Sequence, residues 1–243
     1  MDFDNQYGLL ECHKALLTLL ATFDRLCRDN NIVYGADSGT LLGAIRHDGF
    51  IPWDDDIDVV VGRQSYNQLM TVDLSIYGLK KVRKVWIESL CFIDESEHPT
   101  GPILDIFILD HTPDNSVIRK IKLFRIMCLH GMWHHHMPSK SDNKSIIRWL
   151  YVAFFGFLGR FYSDEQIFKK FQQVSQIGND KDTNYVQCYN YLTKELHVLY
   201  PHDILYEVVP HKFESLDIYI PKMYDIYLKN LYGDYMTPVQ TKG

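Results

Sequence analysis

The chain has 243 residues, 46% hydrophobic and 23% charged, with a net charge of −6; this is long enough for one sizeable core, and the composition excludes a disordered chain. The acidic balance excludes a general duplex binder, which needs surplus Lys and Arg to displace counterions. Cys12, Cys27, Cys91, Cys128 and Cys188 are odd in number and form no Cys-x-x-Cys pair, which excludes a zinc ribbon; together with an acidic start that lacks a signal-peptide pattern, they point to a reduced, cytoplasmic protein.

Residues 7 to 31 read as an amphipathic helix, with Leu9, Cys12, Leu16, Leu19, Leu20, Phe23, Leu26 and Cys27 recurring at three- and four-residue steps. The apolar run Ile32-Val33-Tyr34 follows, then a small-residue turn from Gly35 to Gly39, a short helix at Thr40 to Ile45 and a loop through Pro52. Asp56 to Val61 has strand character. Strand side chains alternate, so Asp56, Asp58 and Val60 share one face while Ile57, Val59 and Val61 share the other. Four carboxylates packed this closely, Asp54, Asp55, Asp56 and Asp58, repel one another unless a cation gathers them, which predicts a divalent-metal site suited to phosphate. The two strand carboxylates at i and i+2 either converge on one cation or each hold part of a two-metal site.

A second strand is expected from Ile103 to Asp110, entered through Gly101-Pro102. An aspartate inside such an apolar run is costly to bury unless it is paired or coordinated, so Asp105 is a natural third ligand. Residues 117 to 137, 145 to 161 and 164 to 177 read as helices. The net charge conceals an asymmetry. From Arg119 to Arg160 eight basic residues accompany one acid, Asp142, so this segment carries +7 and the remainder −13. Within it, residues 149 to 159 carry no charge, a stretch shorter than the roughly 20 residues that span a bilayer. His130 with His134, His135 and His136 invites a metal reading, but no carboxylate or cysteine completes the set locally.

Four segments together resemble the LicD family, which includes the fukutin-related proteins: Gly39-Thr40-Leu41-Leu42-Gly43, Ile51-Pro52-Trp53-Asp54-Asp55-Asp56-Ile57-Asp58, Leu104-Asp105-Ile106-Phe107 and Tyr232-Gly233-Asp234-Tyr235-Met236. The resemblance implies an α/β (α+β) fold, a nucleotidyltransferase-like mixed β-sheet flanked by helices. It implies one domain over residues 1–243, with a basic, aromatic helical insertion at about 117–162. The implied chemistry is transfer of a phosphorylated alcohol, phosphocholine-like or phospho-polyol, from a CDP-activated donor such as CDP-choline to a hydroxyl of a cell-surface glycan or lipid-linked precursor. The family's metal-binding aspartates match Asp56, Asp58 and Asp105, and its glycine turn points to Gly39 and Thr40 against the donor phosphates.

The residues themselves agree with that chemistry. Mg²⁺ or Mn²⁺ on hard oxygen ligands neutralises a diphosphate donor and orients the attack. Asp105 then either completes the metal site or takes the hydroxyl proton. Arg46 suits phosphate oxygens through its planar fork, and Trp53 is a candidate to stack on the base. The bland readings make the acidic run a solvated loop, Asp105 an edge residue, Arg46 a surface arginine and Trp53 a packing plug. Two further functional readings stay open, a nucleotidyltransferase that releases pyrophosphate and a non-catalytic glycan- or nucleotide-binding protein; the intact Asp56, Asp58 and Asp105 disfavour the latter. The segment from Arg119 to Arg160 is either a helical pair that buries its apolar face over the active site or a peripheral contact with an anionic membrane. In the second case Trp149, Phe154, Phe155 and Phe157 insert shallowly, at the inner face of a bacterial membrane.

Overall fold

In chain order the elements are α1 (Leu10–Asp29), β1 (Tyr34–Ala36), α2 (Ser38–His47), β2 (Ile57–Gly62), α3 (Arg63–Leu69), β3 (Leu79–Lys84), β4 (Ile87–Phe92), β5 (Leu104–Thr112), α4 (Ser116–Trp133), α5 (Ile146–Gly159), α6 (Asp164–Ser175), β6 (Tyr185–Cys188), β7 (Tyr200–Pro201), β8 (Val208–Phe213), β9 (Leu216–Pro221) and α7 (Tyr224–Tyr232). They belong to a computed structural model that describes residues 7–93, 101–133, 146–191, 195–205 and 207–237. The expectations for His134, His135 and His136 lie outside those residues. The described residues fall into two compact units, one within Met1–Leu109 and Val198–Gly243, the other within Asp110–His197.

The first unit is built on a mixed sheet in the order β1-β2-β5-β4-β3. β2 and β5 run parallel, and β1, β4 and β3 are antiparallel to their neighbours. Ile57, Val59, Val60, Val61, Leu104 and Ile106 are fully buried. Strands buried on both faces suit the centre of a sheet, where a parallel pair is covered by helices. Helix α1 supplies one cover through Leu16, Leu19, Leu20, Phe23 and Leu26, all at 0% exposure. It is two to three residues shorter at each end than its periodicity suggests, stopping where Asn31 adopts a left-handed φ of 53°.

Two hairpins in this unit carry no clean alternation in the sequence. β3 and β4 are joined by the two residues Val85 and Trp86, since Lys84 pairs with Ile87. β8 and β9 pair from Val208↔Pro221 to Phe213↔Leu216. β9 packs beside β1, where a Cβ on Gly35 would stand 3.0 Å from Pro221 Cδ.

The second unit holds α4, α5, α6 and β6. Ser163 and Gln166 form a reciprocal capping box at the start of α6, which satisfies two otherwise orphaned N–H groups. Lys122, counted with the basic segment, is 1% exposed. Its Nζ donates to the carbonyls of His111 (2.9 Å) and Ile177 (2.8 Å) and sits 4.1 Å from the Tyr189 ring centroid. A cation so enclosed is a structural tie. It is not a surface charge.

Candidate active site

The site grows from the connection between β1 and α2. Asp37 is fully buried, and its carboxylate accepts from the Ser38 N–H at 2.7 Å. Ser38 takes a left-handed φ of 44°, which turns the chain sharply into the helix. Two hydrogen bonds then pin β2 to this turn: Asp37 N–H donates to the Asp58 carbonyl (3.0 Å), and Asp58 N–H donates to Thr40 Oγ1 (2.9 Å). Both backbone polar groups of Asp58 are thereby held by the turn. Thr40, expected against donor phosphates, is 4% exposed and acts as an anchor for the acidic strand.

Register does the rest. Asp58 pairs with Asp105 across the parallel β2–β5 ladder, and Asp105 pairs with Ser89 across the antiparallel β5–β4 ladder. Paired residues project to the same face, so Asp58, Asp105 and Ser89 stand side by side, with Asp56 joining from just ahead of β2. One carboxylate oxygen from each of Asp56, Asp58 and Asp105 lies within 4.8 Å of the others. Ser89, at 0% exposure, donates its hydroxyl to Asp105 Oδ1 at 2.6 Å and leaves Oδ2 for a ligand.

The carboxylates are compensated only in part. Burial first, then Asp56 and Asp55, pushes the Asp54 carboxyl up to about 7. Burial, Asp105 and Asp55 push Asp56 up to about 6, against an opposing effect of Lys84. Asp58 lies well above the carboxylate range because of burial and the charges of Asp56, Asp37, Asp105 and Asp54. Burial also raises Asp105, while the Ser89 hydrogen bond and Lys84 pull it back. Three hard carboxylates raised first by burial, two of them also by neighbouring carboxylates, are a set that a divalent cation at about 2.0–2.4 Å would relieve. The residues therefore fit a hard divalent cation.

Gly39 and Asp54 meet so closely that a Cβ on Gly39 would overlap Asp54 Oδ2. A side chain there would displace the Asp54 carboxylate, so the glycine admits that carboxylate onto the first turn of α2. The loop ahead of the strand is clamped from α1: His13 Nε2 lies 2.7 Å from the Asp54 carbonyl, and the His13 ring stacks on Phe50 at 4.3 Å. Trp53 meets Tyr7 edge to face at 5.8 Å. Arg46 Nη1 donates to the Tyr235 carbonyl at 3.1 Å, so part of its fork ties α2 to the C-terminal turn. That turn uses Gly233, whose φ of 71° with ψ of −118° suits only glycine. Tyr232 is hydrogen-bonded with Ser38, and burial with the charges of Asp37, Asp58 and Asp54 pushes its phenol above the usual range.

Ser89 and Lys84 are the site residues that sequence reading missed. Alternation from the Ser89↔Val82 pair puts Lys84 on the same face as the aspartates. It stands two strands, or about 10 Å, across from β5. Lys84 is exposed at the end of β3 and forms no ion pair among the described residues. Neighbouring Lys81 instead bonds Glu88 at 3.1 Å on the opposite face, where Tyr66 also donates to Glu88. The run Lys80-Lys81-Val82-Arg83-Lys84 carried no signal of which lysine served which face.

A helix-flanked mixed sheet whose neighbouring parallel strands bring carboxylates together defines a nucleotidyltransferase-type domain. Residues 31–98 match the family model described as LicD/FKTN/FKRP, nucleotidyltransferase domain. The chain is 28% identical to the lipopolysaccharide cholinephosphotransferase LicD of Haemophilus influenzae over 251 aligned positions, covering 94% of this chain and 91% of that protein. Uncharacterised proteins of Rickettsia prowazekii and Rickettsia typhi are each 51% identical over 45 residues, 18% of this chain and 17% and 15% of theirs. Over residues 31–98 the chain is thus similar to the LicD family model, and over nearly its whole length to a LicD protein.

Proposed function

We propose that this chain is a metal-dependent phosphotransferase that moves a phosphorylated alcohol from a CDP-activated donor to a glycan hydroxyl. The observation that carries the reading is the Asp56, Asp58 and Asp105 cluster, held by register and by the Thr40 and Ser89 hydrogen bonds. The likeness to a cholinephosphotransferase over nearly the whole chain favours phosphocholine as the transferred group. Asp56, Asp58 and Asp105 would hold Mg²⁺ or Mn²⁺, which when bound neutralises the donor's diphosphate and orients it.

The acceptor oxygen attacks the phosphorus that bears the alcohol. The new P–O bond forms as the bond to CMP breaks, CMP leaves with the electron pair, and the hydroxyl proton passes to a carboxylate of the site. Asp105, with one oxygen fixed by Ser89, serves as a ligand. Lys84 reaches from β3 toward the diphosphate as a point charge. An acceptor carried on a lipid would bring a cytoplasmic enzyme to the inner face of a membrane.

The test is incubation with CDP-choline, CDP-glycerol or CDP-ribitol and a lipopolysaccharide-type acceptor, with and without Mg²⁺ or Mn²⁺, read by mass spectrometry. Metal-dependent CMP release with the phospho-alcohol on the acceptor supports the reading. Pyrophosphate release with nucleoside monophosphate on the acceptor establishes nucleotidyl transfer instead. Turnover that persists in Asp58→Asn and Asp105→Asn overturns the site.

A further inference from the structure

The second unit turns two apolar stripes to solvent that the phosphotransfer chemistry does not use. On α4, Val117, Ile121 and Phe124 are 63%, 55% and 57% exposed. On α5, Ile146, Leu150, Phe154 and Phe157 are 63%, 55%, 59% and 52% exposed. Both sets recur at three- and four-residue steps, so each forms one side of its helix. The helices meet each other through small residues: a Cβ on Gly159 would overlap the Met132 carbonyl oxygen, and one on Gly131 would stand 2.7 Å from Phe155 Cβ. Phe155, grouped from the sequence with the inserting aromatics, is thus a packing residue. An ordinary surface helix buries its large apolar side chains. These helices pack on glycine and leave the large ones outside.

Charge selects what covers them. Neither α4 nor α5 contains an acidic residue, while Lys120 and Arg125 are exposed on α4. A second copy seated on this surface would bring those cations against their own counterparts. An anionic lipid surface instead offers phosphates to the cations and an acyl boundary to the phenylalanines. No described helix is long and apolar enough to cross a bilayer. The 14 residues of α5 extend about 21 Å against a hydrocarbon core of about 30 Å. The geometry points to α4 and α5 as a face that lies on an anionic membrane surface, with Phe124, Phe154 and Phe157 in the acyl boundary and Lys120 and Arg125 among the head groups.

Vesicle sedimentation of the full chain tests this without reading turnover, so its failure is separate from a failure of the phosphotransfer reading. The protein is expected to pellet with phosphatidylcholine vesicles that contain about one-third phosphatidylglycerol, and to be released at about 0.5 M salt. Lys120→Gln and Arg125→Gln should each lower partition about fivefold. The Phe154→Ser/Phe157→Ser pair should lower it about tenfold, with the wild-type melting temperature because both positions are exposed. Wild-type protein left in the supernatant with these vesicles overturns the proposal. So does binding that neither set of variants alters, or concentration-dependent self-association that the phenylalanine variants abolish in the absence of vesicle binding.

Discussion

Replacing Ser89 by alanine removes a single hydroxyl and tests how the carboxylate cluster is held. Ser89 is fully buried and its hydroxyl donates the 2.6 Å bond to Asp105 Oδ1. A hydrogen bond to a charged group contributes about 1.5–3 kcal/mol. In a chain of this length each kcal/mol moves the melting temperature by about 2–4 °C, so the metal-loaded variant should melt roughly 3–12 °C lower. A group that orients a metal ligand typically changes metal affinity by about 10–100-fold. Titration of turnover with Mn²⁺ should therefore need that much more metal to reach half-maximal rate, with the rate largely restored at saturation. An unchanged Mn²⁺ requirement refutes the holding role, as does a loss of turnover that saturating metal leaves in place.

Asp58→Asn should abolish turnover yet raise the melting temperature of the metal-free protein, because it removes the charge whose burial and neighbours most oppose ionisation; calorimetry with and without Mg²⁺ checks both. The folded carboxyls of Asp54 and Asp56 sit at about 7 and about 6, above their ordinary 3.8. The folded state then binds more protons between those values, so stability of the metal-free protein falls as pH rises from about 4 to about 7; melting curves across that window should show the decline, and Mg²⁺ should flatten it. Lys84→Met should raise the donor KM about tenfold with little change in melting temperature, since Lys84 is exposed and a phosphate contact of this kind contributes about 1.5 kcal/mol; an unchanged KM would remove Lys84 from the site.

The central strands were legible because their residues carry two messages at once. Val59-Val60-Val61 and Ile106-Phe107-Ile108 mark strands buried on both faces, and the aspartates inside those runs make sense only if something gathers them. Asp58 and Asp105 are paired across the sheet although far apart in the chain, and shared chemistry connected them where local pattern does not. Helices α1, α2, α4, α5 and α6 were equally readable, with ends displaced by a few residues, whereas α3 and α7 were not read. The β3–β4 hairpin was not. Its strands read Leu-Lys-Lys-Val-Arg-Lys and Ile-Glu-Ser-Leu-Cys-Phe, and buried Glu88 and Ser89 break the usual alternation because one is held by Lys81 and Tyr66 and the other serves Asp105. Gly39 was recognised for the phosphate side, but its close approach to Asp54 is a matter of tertiary spacing that no local rule supplies.

The bond from Arg46 to the Tyr235 carbonyl joins positions 189 residues apart, and Tyr34 likewise meets Tyr219 ring to ring at 5.8 Å. At about 5–20 residues per second a ribosome takes roughly ten to forty seconds to cover that separation. Throughout that interval the acidic strand exists without β9, α7 and the turn at Gly233. The Asp110–His197 unit, whose residues are contiguous, emerges whole in the meantime. The nascent chain thus holds a half-walled, negatively charged sheet open until its last residues arrive, and chaperones have that interval in which to engage it.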